Sequence, residues 1–131
     1  MPGRIEWDNE EKTILNIIYE GNMLLEEYYG IIDEVFDVVH PLSHPVYIIM
    51  LRQHVKSVPA TMSKVLQYGN KKATPNLGMT VIVGATAMTK MIAKLAKVIA
   101  PRLAKEVYFA NSHEEARQII ANKTGEQATS S

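Results

Sequence analysis

Two apolar runs constrain the fold of this 131-residue chain more than any other feature. They are Val46-Tyr47-Ile48-Ile49-Met50-Leu51 and Met79-Thr80-Val81-Ile82-Val83-Gly84. Neither shows the polar–apolar alternation of a strand with one wet face. Each fits a central strand covered on both sides, as in a parallel sheet. The longest apolar stretches, Val46 to Leu51 and Leu77 to Gly84, fall far short of the roughly 20 residues that a membrane helix needs. Thr13-Ile14-Leu15-Asn16-Ile17-Ile18-Tyr19, rich in β-branched side chains, and Glu106-Val107-Tyr108-Phe109 read as further strands. Ahead of them, Arg4-Ile5-Glu6-Trp7-Asp8 alternates, and Asn9-Glu10-Glu11-Lys12 makes a polar turn. A tight turn joins only antiparallel strands, so the chain should open with a hairpin.

Helical spacing fills the intervals. Asn22 can cap a helix whose apolar face is Leu25, Tyr28, Ile32, Phe36 and Val39, and Pro41 ends it. Ser57 and Pro59 start a second helix, with Met62, Val65, Leu66 and Gly69 inward, and Asn70–Asn76 forms a loop. Thr86 or its neighbour caps a third, for which spacing predicts Met88, Met91, Ile92, Leu95, Val98 and Ile99 as the buried face. Ser112-His113-Glu114-Glu115 has the capping-box form before Ala116, Ile119 and Ile120. Met62, Met79, Met88 and Met91 fall on these stripes and are expected to fill the core. Of Tyr28 and Tyr29, one ring should be buried and the other near the surface. The predicted class is therefore α/β, in the order β-β-α-β-α-β-α-β-α. The sheet is mixed but mostly parallel with an antiparallel opening hairpin, and the helices lie mainly on one face. A single domain over residues 4–122 is expected, followed by a disordered tail, 123–131.

Composition excludes several chemistries. The chain has no cysteine, which rules out disulfides, thiol nucleophiles and cysteine-held metals. Fourteen basic and fourteen acidic residues cancel, so no general basic field points to nucleic acid. His40 and His44 have the four-residue spacing of a zinc pair, but Pro41 and Pro45 forbid a helix through them. His54 and His113 are the other two histidines. The Gly84-Ala85-Thr86-Ala87-Met88-Thr89 turn lacks the glycine spacing of a dinucleotide fingerprint and the ending of a phosphate-binding loop. No Gly-x-Ser-x-Gly elbow is present. Accordingly no cofactor, no metal and no catalytic residue is expected.

The charges are unevenly placed. Residues 1–40 hold ten acids and two bases, whereas residues 41–111 hold ten bases and one acid. On the third helix, Lys90, Lys94 and Lys97 fall within roughly 60° of one another at 100° per residue, with no carboxylate on that helix to pair with them. They are the candidate site for an anionic partner.

This order of elements, the short helix near Ser57 and the closing Val107-Tyr108-Phe109-Ala110-Asn111-Ser112-His113-Glu114-Glu115-Ala116 resemble the STAS domain, named for sulfate transporters and anti-sigma-factor antagonists. The closer likeness is to its branch of small stand-alone bacterial STAS-like proteins. The resemblance covers residues 4 to 122. In the family's partner-switching antagonists a phosphorylatable Ser follows an Asp at the start of the second helix. Here Leu51-Arg52-Gln53-His54-Val55-Lys56-Ser57-Val58-Pro59 has neither that Asp-Ser pair nor a glycine. Ser57 is the only hydroxyl near the place, a candidate switch whose simpler role is to cap the helix. The resemblance implies a non-enzymatic, cytoplasmic protein-interaction or regulatory module with a protein partner, and a homodimer is also expected. The superfamily's similarity to lipid-exchange domains leaves a second reading, a binder of a small apolar or lipid-like ligand. No nucleic acid and no transmembrane segment are expected, and the acidic N-terminus does not resemble a secretory signal.

Overall fold

Covering both faces of the central strands takes four helices. The computed structural model describes residues 3–19, 23–51 and 59–125. In it the chain forms β1 (Gly3–Trp7), β2 (Ile14–Tyr19), α1 (Leu25–Val39), β3 (Val46–Leu51), α2 (Pro59–Lys72), β4 (Leu77–Val83), α3 (Ala87–Ile99), β5 (Val107–Ala110) and α4 (His113–Thr124). The five strands form one sheet in the order β1-β2-β3-β4-β5. β1 pairs antiparallel with β2, and every later pair is parallel. The fold is thus α/β in the expected order. Asn9 builds the hairpin turn, its side-chain oxygen accepting from the amides of Thr13 at 3.0 Å and Ile14 at 3.3 Å.

α1, α2 and α3 lie side by side on one face, where Tyr28, Met62, Val65, Ile92 and Ala96 share a core. α4 covers the other face with Ala116 and Ile120, against Ile49, Met79 and Val81. Ile49, Val81 and Ile120 are almost fully buried, and each such side chain stabilises the fold by about 1.5–3 kcal/mol. Between α1 and α2, Asp33 accepts from the Tyr68 hydroxyl at 2.6 Å and pairs with Lys72 at 2.8 Å. Tyr28 is buried, and Tyr29 stacks on Tyr68 with ring centroids 4.3 Å apart.

Several boundaries differ from the sequence reading. Asn22 lies outside the described residues. α1 begins after Leu24, which has no side-chain cap to offer; its own amide donates to the Glu27 carboxylate at 2.7 Å, the return half of a capping box. α2 runs on to Lys72 because the loop after it is tied down: Asn70 accepts from the amides of Arg102 and Leu103, and the Arg102 guanidinium donates to the Ala73 carbonyl at 2.6 Å. α4 reaches Thr124, two residues past the expected limit, where Gly125 takes the left-handed conformation (φ 77°) of a helix C-cap.

The largest correction concerns α3. Its buried residues are Thr89, Ile92, Ala93 and Ala96, followed by Ala100. Met88, Met91 and Val98 are exposed. Of the expected face Ile92 is buried and Leu95 and Ile99 pack half-buried against the core, so the inward side is centred roughly 100° around from the one that the six large apolar residues indicate. Two features hold it there. The Thr86 hydroxyl caps the helix by accepting from the Thr89 amide at 3.2 Å and meets the Thr89 hydroxyl at 3.0 Å, which turns Thr89 inward. Small alanines at 93, 96 and 100 then let α3 lie beside α2. Met62 and Met79 are core residues, but Met88 and Met91 are not.

One side chain locks the lower loops together. The Asn76 amide nitrogen donates to the carbonyls of Val39 at 2.8 Å, Leu42 at 3.1 Å and His44 at 3.4 Å, which ties the loop before β4 to the loop before β3. Asn76→Ala leaves those carbonyls without this donor and is expected to cost about 2 kcal/mol in urea unfolding. A loss below about 0.5 kcal/mol would mean that the clasp contributes nothing.

Candidate functional site

Between the sheet and the three-helix layer lies a cavity of about 160 Å³. The floor is Ile17, Ile48, Thr80 and Ile82 of the sheet. Over it stand Ile32 and Phe36 of α1, Val65 and Leu66 of α2, and Ile92, Ala93 and Ala96 of α3. The space follows from the rotation of α3: alanines, not Met91 or Val98, face the sheet, and they do not fill the layer. Its size is of the order of an engineered cavity lined by Leu, Ile and Phe that stays dry and takes up benzene.

Apart from Thr80 in the floor, the polar groups gather at one end. Tyr19 closes β2, while Tyr28 and Thr89 sit in the first turns of α1 and α3. This is the carboxyl end of the parallel strands. The Tyr19 and Tyr28 rings approach to 5.9 Å. Burial, with a smaller contribution from Tyr28, pushes the Tyr19 phenol well above its usual range, so it stays a neutral hydrogen-bond donor. Among the described residues neither phenol oxygen has a hydrogen-bond partner in the chain. The arrangement can enclose an apolar body and meet one polar end of it.

A second cluster was not foreseen in the sequence. Asp8, at the end of the opening hairpin's first arm, receives a two-pronged contact from Arg117 of α4, with Nε and Nη2 each at 2.8 Å. The Asn16 side chain donates to the same carboxylate at 3.0 Å. His113 Nε2 stands 3.1 Å from it, off the line of a hydrogen bond. His113 and Arg117 share one face of α4, so the cluster pins that helix to the hairpin. The Asp8 side chain is only 7% exposed. The Arg117 guanidinium, and then the Asn16 amide, outweigh the opposing burial and hold its carboxyl down at about 2. The Arg117 guanidinium is held more firmly protonated in return. The signal in the sequence was Asn16, an amide in the middle of an apolar strand and 2% exposed.

Ser57 and His54 lie outside the described residues. Lys90, Lys94 and Lys97 are all exposed on α3, and Lys90 Nζ lies 5.6 Å over the ring of Phe109. At 100° per residue they lie roughly 100° around the helix from its buried face, beside the outward Met91 and Val98. His40 caps the end of α1, and His44 Nδ1 meets the Pro45 carbonyl at 3.0 Å. Among the described residues no group of three or more His, Asp or Glu side chains could hold a metal ion, and no helix is long and apolar enough to cross a membrane. Ser112 caps α4 as expected, but the Glu115 carboxylate reaches the amide of Asn111 and not that of Ser112.

The Asp8 cluster sets an acid-sensitive part of the stability. A carboxyl lowered from 3.8 to about 2 stabilises the fold above its unfolded value, and that contribution is lost as pH falls from about 4 through 2. Arg117 is partly exposed, so solvent screening limits the gain to on the order of 1–2 kcal/mol. Asp8→Asn is expected to lose this amount at pH 7 in urea unfolding, and its deficit to shrink below pH 3. An unchanged deficit down to pH 2 would show that the carboxylate charge is not its source.

No family model, no curated protein and no solved structure matches this chain.

Proposed function

We propose that this protein is a non-enzymatic, STAS-like binding protein for a small apolar or lipid-like ligand, held between the sheet and α1–α3. The apolar cavity of about 160 Å³ carries this reading. A pocket lined by aliphatic side chains with a few convergent polar groups is the usual form of a small-molecule site. Tyr19, Tyr28 and Thr89 at one end favour a ligand with a single hydrogen-bonding group. Asp8, His113 and Arg117 engage one another, and this arrangement supports a structural role over acid–base catalysis. A second reading, a cytoplasmic regulatory module that binds a protein partner, draws on the exposed lysines of α3 and on the resemblance in element order.

Protein purified without denaturation is expected to release a small apolar molecule on unfolding, detected by mass spectrometry. Emptied protein is expected to bind a medium-chain fatty acid such as octanoate by calorimetry. Ala96→Leu places new atoms in the empty space, so binding should weaken at least about tenfold while stability is kept or raised. A protein that arrives empty and gives no heat with octanoate would contradict the proposal, as would binding that Ala96→Leu leaves unaltered.

A further inference from the structure

The rotation of α3 that opens the cavity also turns large apolar side chains outward. Val98 is 77% exposed and Met91 49%, and Phe109 on the adjoining edge strand is 40% exposed. Lys94 projects between Met91 and Val98 on the same face of the helix, with Lys90 and Lys97 beside it. This is an unusual use of a surface helix. Met88, Met91 and Val98 are exposed beside three cations, and no carboxylate on the helix balances them.

We infer that the outer face of α3, with Phe109, docks on a bilayer containing anionic phospholipid. Lysines on flexible stems can reach phosphates at the headgroup level while neighbouring apolar side chains enter the boundary of the acyl region. Both halves of the face are then satisfied by one partner. The negative potential of such a surface acts on every lysine within a Debye length, and salt weakens it. An acidic α1 of another copy satisfies only the charges. Among the described residues its exposed surface offers one large apolar side chain, Leu24, and Asp33 is already held by Lys72 and Tyr68. A two-fold pairing that set α1 against α3 would also set α2 against itself, with exposed Lys64 and Lys71 facing their own copies. The docking inference does not depend on a ligand in the cavity, although the same helix walls both.

The full chain should be sedimented with vesicles of phosphatidylcholine alone and of phosphatidylcholine mixed with phosphatidylglycerol. Binding is expected only to the anionic vesicles, and it should fall steeply between low ionic strength and molar salt. Lys90→Glu combined with Lys94→Glu should weaken it at least about tenfold. Met91→Ser combined with Val98→Ser should weaken it with the charge unchanged. All four side chains are exposed, so thermal unfolding of each variant should stay close to that of the parent. Equal binding to neutral vesicles, or no binding to either kind, would overturn the inference. So would anionic-vesicle binding that the double charge reversal leaves unaltered. Self-association abolished by that reversal, without vesicle binding, would assign the face to a second copy instead.

Discussion

Everything in this molecule depends on the burial of both faces of a parallel sheet. Ile49 and Val81 point to one side of the sheet and Ile48 and Ile82 to the other, and all four are buried. Strands of that kind have no wet face to offer. The chain answers with three helices on one side, in the order in which the strands are laid down, and returns a fourth across the other side. The single antiparallel strand, β1, closes one edge, and the hairpin that delivers it carries Asp8 to the start of α4.

The two sides are covered in different ways. Beneath α4 the contact is dense, with Ala116 and Ile120 against Ile49, Met79 and Val81, and the Asp8–Arg117 contact fixes the helix end. On the other side α1 and α2 supply mostly bulky residues, whereas α3 contributes one, Ile92, beside Ala93, Ala96 and Ala100. A close-packed interior leaves few voids larger than a water molecule, so a cavity of about 160 Å³ is a departure that lies under one particular helix. The small residues of α3 leave the space, and Met88, Met91 and Val98 are displaced to the surface. The proposed ligand site and the proposed docking face are therefore two results of one helix orientation.

The element order was legible in the sequence because it rests on period and punctuation. Unbroken apolar runs mark the covered strands, and Pro41, Pro59 and Pro101 mark helix ends. Helix orientation was less accessible. Periodicity weighs size and hydrophobicity, so Met88, Met91 and Val98 outvote alanines that count for little, although Ala93, Ala96, Ala100 and Ala104 recur at spacings of three and four. The cavity could not be read at all, since it is a difference of volumes between elements far apart in the chain. The Asp8–Arg117 contact spans 109 residues, and only the isolated polarity of Asn16 hinted that something polar lay beneath that strand.

The cavity and the docking face both depend on the orientation of α3, and a chain without cysteine allows that orientation to be probed directly. Single cysteines at Met91, Val98, Ala93 and Ala96 can each be modified with a maleimide in the native protein, with the unfolded chain as reference. Met91→Cys and Val98→Cys are expected to react at rates close to the unfolded chain, while Ala93→Cys and Ala96→Cys are strongly protected. Protection at 91 and 98 with fast modification at 93 and 96 would contradict the account, because the large residues would then fill the space beneath the helix.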